Sequence, residues 1–233
     1  MKQKNKSDFS SSFCSFSTNF YDWLKVLAVV TMVIDHIGYY LFPDILGLRL
    51  VGRIAFPIFV FFIVEGFFKT KNRKKYLLTL IVFGIISEVP FDMFTSKTFF
   101  NPYWNNMIFT LALCLITIWI IDALKEKIKI KALWYTVSII IVIISGLSAM
   151  ELSLDYDYHA VVAAYIFCIF YDKPLIGAGL GYLSIIKELY SFLGFGLTLT
   201  YNGKRGKQYK WINYLFYPVH ILILGILRFY LNI

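Results

Sequence analysis

Charged residues are scarce in this chain of 233 residues: only 16% are Asp, Glu, Lys or Arg, whereas 59% are hydrophobic. Soluble domains average about 25% charged and about 45–50% apolar residues, and the mean hydropathy here is +0.68. This composition excludes an ordinary soluble domain. It predicts an all-α fold, a polytopic bundle of transmembrane helices.

Cysteine is also scarce, with only Cys14, Cys114 and Cys168. Their spacing fits neither a disulfide framework nor a thiolate metal site, so we expect no metal. Residues 1–22 lack the continuous apolar core of a signal peptide. We predict that this Ser- and Lys-rich stretch is a disordered cytoplasmic tail, and that residues 23–233 form a single transmembrane domain.

Acidic residues are outnumbered, 14 against 23 basic ones, which gives a net charge of +9. The basic residues lie between the apolar runs, as the positive-inside rule expects of cytoplasmic loops. We therefore expect no nucleic-acid partner, a location in the cell membrane, and a cytoplasmic N-terminus. The basic clusters fall within residues 2–6, 69–75, 125–131 and 204–210, and the loops expected to face outward are 42–49, 94–105 and 152–158.

The apolar runs predict about nine crossings, within a range of eight to ten. Six runs are close to the roughly 17–25 residues that span a bilayer: 23–40, 50–68, 76–94, 107–124, 132–152 and 211–231. Three runs are shorter, at 159–171, 174–186 and 189–201. Counting all three as crossings keeps the basic loop 204–210 on the cytoplasmic side. No fixed-period repeat is visible.

Ionisable residues interrupt these runs. Each costs about 2.5–3.5 kcal/mol or more in hydrocarbon, so such residues mark a functional interior by default. Helical rise predicts an outer-half cluster, with His220 below it and Glu65 at the inner end. The alternative is that the charges pair only to hold the helices together. The predicted cluster consists of Asp35, His36, Arg53, Glu88 and Asp92.

Either Asp35 or Glu88 can be the carboxylate that orients His36. A neighbouring carboxylate can fix the tautomer of a histidine and raise its basicity. Asp35 is adjacent in sequence, but adjacent side chains diverge by about 100° on a helix. Asp35 can therefore face Arg53 instead, which would leave Glu88 to orient His36.

Several motifs, in the same order along the chain, resemble the TraX family. They are LKVLAVVTMVIDHIG, GRIAFPIFVFFIVEGF, NRKKYLL, ISEVPFD, YNGKRG and FYPVHILIL. The resemblance covers nearly all of the chain after residue 23. It implies a membrane acetyltransferase that takes acetyl from acetyl-CoA and, by family precedent, N-acetylates the amino terminus of pilin. It also implies that His36, in IDHIG, is the catalytic base. One departure is the sequence DYDYHA at 155–160, where the family usually shows DYGxxG.

The chemistry of acetyl transfer suggests roles for the other candidates. Arg53 is a candidate stabiliser of the oxyanion, with Asp35 and Glu88 as the orienting carboxylates. For His220, a general acid, a ligand contact and a structural hydrogen bond are all open. The residues expected to bind substrate or cofactor are Glu65, Asp92, Asn202, Lys204, Arg205 and His220. The basic loop can hold the phosphates of acetyl-CoA, or it can serve only to set topology.

Two other functions compete with acetyl transfer. The first is a small proton-coupled transporter, in which Asp35, Arg53, Glu88 and His220 form a relay and the short runs are discontinuous helices. The second is a non-catalytic assembly factor whose buried charges hold helices together. For the acetyltransferase, we expect acyl-CoA, the lipid bilayer and a protein, glycan or lipid acceptor with an amine or hydroxyl as partners.

Overall fold

The computed structural model describes residues 7–186, 188–203 and 210–231; for 7–22 and 210–213 it describes the backbone alone. The described part is all-α, as predicted, and its only strand-like pairing is an isolated bridge between Asn105 and Leu154. Its helices are α1 (Ser7–Tyr40), α2 (Leu46–Gly52), α3 (Ala55–Lys69), α4 (Arg73–Ser96), α5 (Met107–Lys125), α6 (Lys131–Glu151), α7 (Asp157–Ile169), α8 (Pro174–Leu183), α9 (Ser191–Thr198) and α10 (Lys210–Leu231).

Six segments of the described chain are long and apolar enough to cross a membrane. They are Trp23–Tyr40, Leu46–Lys69, Arg73–Ser96, Met107–Lys125, Lys131–Glu151 and Tyr214–Leu231. With the short helices α7, α8 and α9, the predicted count of nine crossings fits roughly. Helix α1 begins at Ser7, inside the stretch predicted to be a disordered tail.

Local sequence explains where several helices begin and break. The side chains of Asn72 and Asn106 cap α4 and α5 by accepting hydrogen bonds from the backbone N–H groups of Lys75 and Ile108. The break between α2 and α3 falls at residues 53–54. Pro57 explains it, because proline has no N–H to offer the carbonyl of residue 53 and its ring clashes with that group.

The two ends of the bundle are distinguished by their loops. We call the end that carries the basic loops 69–75 and 125–131 the basic end, and the opposite end the distal end. The long helices α1, α4 and α10 run parallel, towards the distal end. Near that end, the Tyr40 hydroxyl donates to the Thr95 carbonyl (3.0 Å), and Arg228 donates to the Phe94 carbonyl.

The three short helices carry the chain back and forth between the distal end and the basic end of the bundle. The chain starts this path where Thr110 donates to the Asp155 carbonyl (2.7 Å), and descends to Tyr171, which contacts Glu65. It rises again to Glu188, beside Arg53, and α9 then returns it to the basic end. At about 1.5 Å per residue, the 13 residues of α7 rise only about 20 Å.

The buried core and the exposed faces agree with a membrane setting. The core is formed by apolar side chains of α3, α5 and α7, among them Val60, Leu115 and Ala164, which are fully buried. On α6, large aliphatic side chains such as Ile139 and Ile143 are more than half exposed. Apolar side chains on the outside of a helix bundle are what a lipid-facing surface requires.

Candidate functional site

Two histidines from distant parts of the chain form the centre of the site. His36 Nδ1 on α1 lies 3.0 Å from His220 Nε2 on α10. The two ring planes differ by only 6°, and His220 Nδ1 lies 2.8 Å from the Phe216 carbonyl oxygen. The prediction that His220 lies below His36 is therefore wrong. Counting residues from a helix start gives depth only if all helices begin level and run perpendicular to the membrane.

The histidine pair lies among aromatic rings and beside a small cavity. The Phe94 ring centroid is 5.4 Å from that of His36, and the Tyr217 ring makes a T-shaped contact with both histidines. A cavity of about 30 Å³ is lined by His36, Tyr217, Asp155 and other residues. That volume holds about one or two water molecules, or a small reacting group.

A larger cavity of about 250 Å³ lies next to the small one. Asp155 and Tyr156 line both, so these two residues separate the larger space from the side of His36. The first residue of α7, Asp157, and Ile185, just after the end of α8, are among the residues that line it. The remaining lining residues are Tyr39, Arg49, Arg53, Trp104, His159 and Glu188. We call this space the distal cavity.

Two ion pairs bring opposite charges to the distal cavity. Arg49 donates to Asp35 at 2.7 Å, and Arg53 lies 3.3 Å from Glu188. The first pair depends on Gly52, because a Cβ there would overlap the Asp35 side chain. Asp35 therefore pairs with Arg49, rather than orienting His36 or facing Arg53 alone. Its second oxygen, Oδ1, is buried with no hydrogen-bond partner among the described residues.

The loop before α7 is held firmly beside the cavity. The backbone N–H of Asn105 donates to the Ser153 carbonyl (2.9 Å), and that of Asp155 donates to the Asn105 carbonyl (3.1 Å). Burial raises the pKa of Asp155 from 3.8 to about 6, and the negative charge of Asp35 adds to the effect. Asp157 has a positive φ of 46°, which favours glycine. This explains why a glycine at this point in the family motif is physically reasonable.

Two further predicted residues brace the loop between α4 and α5. Asn106 Nδ2 donates to Glu88 Oε2 and, at 2.9 Å, to the Gly84 carbonyl. The Asn101 N–H donates to Asp92 Oδ2 at 2.8 Å. Neither carboxylate contacts His36. Each has a second oxygen that is buried without a hydrogen-bond partner in the described part of the chain.

Glu65 lies at the basic end, remote from the histidine pair. Only 3% exposed, it accepts hydrogen bonds from Tyr171 (2.8 Å) and Tyr201 (2.7 Å) and pairs with Lys69 (2.5 Å). Lys69 also donates to the Gly203 carbonyl. The cluster thus ties α3 to the ends of the short helices, beside Asn202. Lys204 and Arg205, which were predicted to bind phosphate, lie outside the described residues.

The structure thus separates the sequence candidates into distinct places. It brings His36 to His220 and Arg53 to the distal cavity, and Arg49 holds Asp35 beside that cavity, but it leaves Glu88, Asp92 and Glu65 elsewhere. Sequence reasoning missed nine of the ten residues that line the cavity, among them Arg49, Asp155, Tyr156 and Glu188. The family motif at 155–160 was a signal for Asp155 and Tyr156, which match its first two residues. Among the described residues, no three His, Cys, Asp or Glu side chains are placed to hold a metal ion.

Comparison with known proteins gives two relatives and one family. A family model described as "TraX protein" matches residues 21–228. The chain is 29% identical over 245 residues to "Probable fimbrial assembly protein FimC, serogroup H1" of Dichelobacter nodosus, covering 90% of this chain and 96% of that protein. It is 45% identical over 73 residues to an uncharacterized protein of Rickettsia prowazekii (strain Madrid E), covering 31% and 27% of the two chains. No solved structure matches.

Proposed function

The chain belongs to the TraX family, and from that premise we propose that this multi-pass membrane protein is an acetyltransferase that uses acetyl-CoA. The observation that carries the proposal is the position of His36. Its imidazole lines a small cavity inside an apolar bundle, next to a polar cavity large enough for the end of an acceptor. Acyl transfer needs a base at such a point, to remove the acceptor's proton as it attacks.

In the proposed reaction His36 acts first as a general base and then as a general acid. The acceptor's nitrogen or oxygen attacks the thioester carbonyl, and His36 takes the proton that the acceptor loses. The carbon–sulfur bond then breaks, and His36 returns that proton to the leaving CoA sulfur. For a hydroxyl or a neutral amine, protons balance over the cycle. A base within hydrogen-bond reach contributes typically about 10²–10⁴-fold to the rate.

Arg53 is the proposed stabiliser of the oxyanion. Its 3.3 Å contact with Glu188 uses only Nε, and a guanidinium has five N–H donors in all. Arg53 lies at the break between α2 and α3 that Pro57 causes, so the fold fixes its backbone position. Arg49 is a weaker candidate, because it is committed to Asp35 at 2.7 Å and stacks on Tyr39.

The donor and the acceptor are proposed to approach from opposite ends. A cavity of about 250 Å³ is at or below the low end of sites for drug-sized ligands, so it cannot enclose the whole of acetyl-CoA. The phosphates are instead assigned to the basic end, with Asn202, Lys204 and Arg205 as the candidate contacts. The positive-inside rule supports a cytoplasmic basic end, and with it a cytoplasmic N-terminus and entry of acetyl-CoA from the cytoplasm, for a protein of the cell membrane.

The acceptor is proposed to be a protein amine of a pilus or fimbria. The support comes from family precedent and from the name of the Dichelobacter nodosus relative, a probable fimbrial assembly protein. The cavity itself also suits a hydroxyl acceptor, on a glycan or a lipid.

The test is acetyl transfer by the purified protein in lipid nanodiscs. Radiolabelled acetyl-CoA is supplied with a peptide that carries the N-terminal sequence of the host's own pilin, or with crude envelope acceptors. We expect label to enter the acceptor, and we expect His36→Gln to lower the rate by about 10²–10⁴-fold. Ser148→Ala is the control, since the hydroxyl of this half-buried residue on α6 donates its hydrogen bond within its own helix, to the Ile144 carbonyl at 2.9 Å.

The competing functions give different results in the same preparation. Full activity in His36→Gln would refute the role of this residue as the base. Solute uptake into proteoliposomes without acyl-CoA would favour the transporter. Absence of both acetyl transfer and thermal stabilisation by acetyl-CoA would favour the assembly factor.

A further inference from the structure

We propose that His220 is a positioning residue: it fixes the tautomer of His36 so that Nε2 of His36 is the atom that takes the acceptor's proton. This inference rests on the proposed function for its chemical meaning. Its structural content, the positions of two protons, can be measured without any substrate.

The Phe216 carbonyl fixes the position of the first proton. A carbonyl oxygen can only accept a hydrogen bond. His220 Nδ1, 2.8 Å from it, must therefore carry a proton. In a neutral imidazole the other nitrogen is then an acceptor. His220 Nε2 is that acceptor, and its partner at 3.0 Å is His36 Nδ1. His36 Nδ1 must carry the second proton, which leaves Nε2 of His36 with a lone pair.

If His220 Nε2 instead donated to His36 Nδ1, His220 would have to be positively charged, and its surroundings do not support that charge. If His220 donated from both nitrogens, it would be an imidazolium. His220 is only 8% exposed, and its neighbours are Phe216, Tyr217 and His36. No carboxylate among the described residues is hydrogen-bonded to either histidine; Asp35 and Glu88 are engaged with Arg49 and Asn106. A buried cation without a partner is costly, so the neutral pair is favoured.

The geometry also gives His220 a role that no other described residue fills. A carboxylate commonly holds a catalytic imidazole in the correct tautomer. Here the second imidazole takes that place, and its ring is itself fixed by the Phe216 carbonyl one turn earlier on α10. The two nitrogens of His36 point in divergent directions, so Nε2 faces away from His220. When Nε2 takes a proton, the Nδ1–H···Nε2 hydrogen bond becomes charge-assisted and strengthens.

The direct test is ¹⁵N NMR of the wild-type protein, labelled on histidine, in nanodiscs without acetyl-CoA. The chain has only three histidines, so single His→Gln variants assign every signal. We expect Nδ1 of both His36 and His220 to be protonated, with the two Nε2 atoms of the pyridine type. A protonated Nε2 on His36, or a doubly protonated His220, would overturn the proposal.

Two substitutions of His220 then separate positioning from packing. His220→Gln offers a side-chain oxygen near the place of Nε2 and keeps an acceptor for His36, whereas His220→Leu keeps bulk without an acceptor. We expect His220→Gln to retain acetyl transfer within about tenfold, and His220→Leu to lose about 100-fold or more in kcat, with Nε2 of His36 gaining a proton. Equal rates in the two folded variants, or an unchanged His36 spectrum in His220→Leu, would refute positioning.

The NMR readout keeps this proposal distinct from the proposed function. Absence of acetyl transfer from the wild-type protein would count against the acetyltransferase, while the wild-type spectrum would still decide the tautomer. The spectrum also decides it if His220→Leu does not fold.

Discussion

The Asp35–Arg49 pair offers a quantitative test of how the distal cavity is held together. Arg49→Gln removes one partner and leaves a carboxylate that is only 15% exposed. Breaking a buried ion pair costs about 3–5 kcal/mol, and we take about 3 because the site borders a cavity. At about 2–4 °C per kcal/mol for a chain of this size, Tm should fall by about 6–12 °C.

The chain provides a matched control at the other end of the bundle. Arg73 pairs with Asp122 at 2.8 Å, nearly the same distance, and also stacks on an aromatic ring, but both side chains are about a third exposed. Such a pair is worth about 0–1 kcal/mol, so Arg73→Gln should lower Tm by no more than about 4 °C. Differential scanning fluorimetry in detergent measures both. Equal shifts would refute the reasoning, and Asp35→Asn should recover part of the loss in the Arg49→Gln background.

Three further predictions use the same thermal assay. Gly52→Ala should lower the free energy of unfolding by about 1–3 kcal/mol, because the added methyl group overlaps Asp35. Gly47→Ala, in the same helix, adds a methyl group that meets no atom within 4 Å, so the free energy of unfolding should stay the same or rise. Asp157→Gly should stabilise by about 1 kcal/mol by relieving a left-handed backbone, and a lower Tm would contradict this. The folded-state pKa of Asp155 is above its unfolded value, so the unfolded chain loses this proton first and stability falls as pH rises from 3.8 to about 6. Asp155→Asn should therefore raise Tm above pH 6 but not below pH 4, and a gain that is the same at both pH values would argue against the assigned pKa.

Much of the fold could be predicted because long apolar runs determine long helices in a membrane. The run 107–124 corresponds to Met107–Lys125, and 132–152 to Lys131–Glu151. The second span was predicted to start at residue 50, yet helix α2 begins at Leu46. Because the stretch 42–49 contains polar residues and a glycine, it was predicted to be a loop, and Arg49 within it was therefore missed.

The pairings within the site could not be predicted in the same way. Sequence spacing gives the approximate depth of a residue in its helix, but neither the rotation of the helix nor its tilt. His36 and His220 are separated by 184 positions, and their contact depends on how α1 and α10 pack. The same limit applies to Asp35, whose partner is set by the glycine at position 52 rather than by any charge pattern.

The proposed chemistry requires His36 to meet the thioester of acetyl-CoA inside the bundle. A cryo-EM map of the protein in nanodiscs, with a non-reactive thioether analogue of acetyl-CoA, tests this most directly. We expect density for the acyl end within hydrogen-bond reach of His36 Nε2, with the nucleotide at the basic end. Density for the acyl end at another site, remote from His36, would rule out this imidazole as the base.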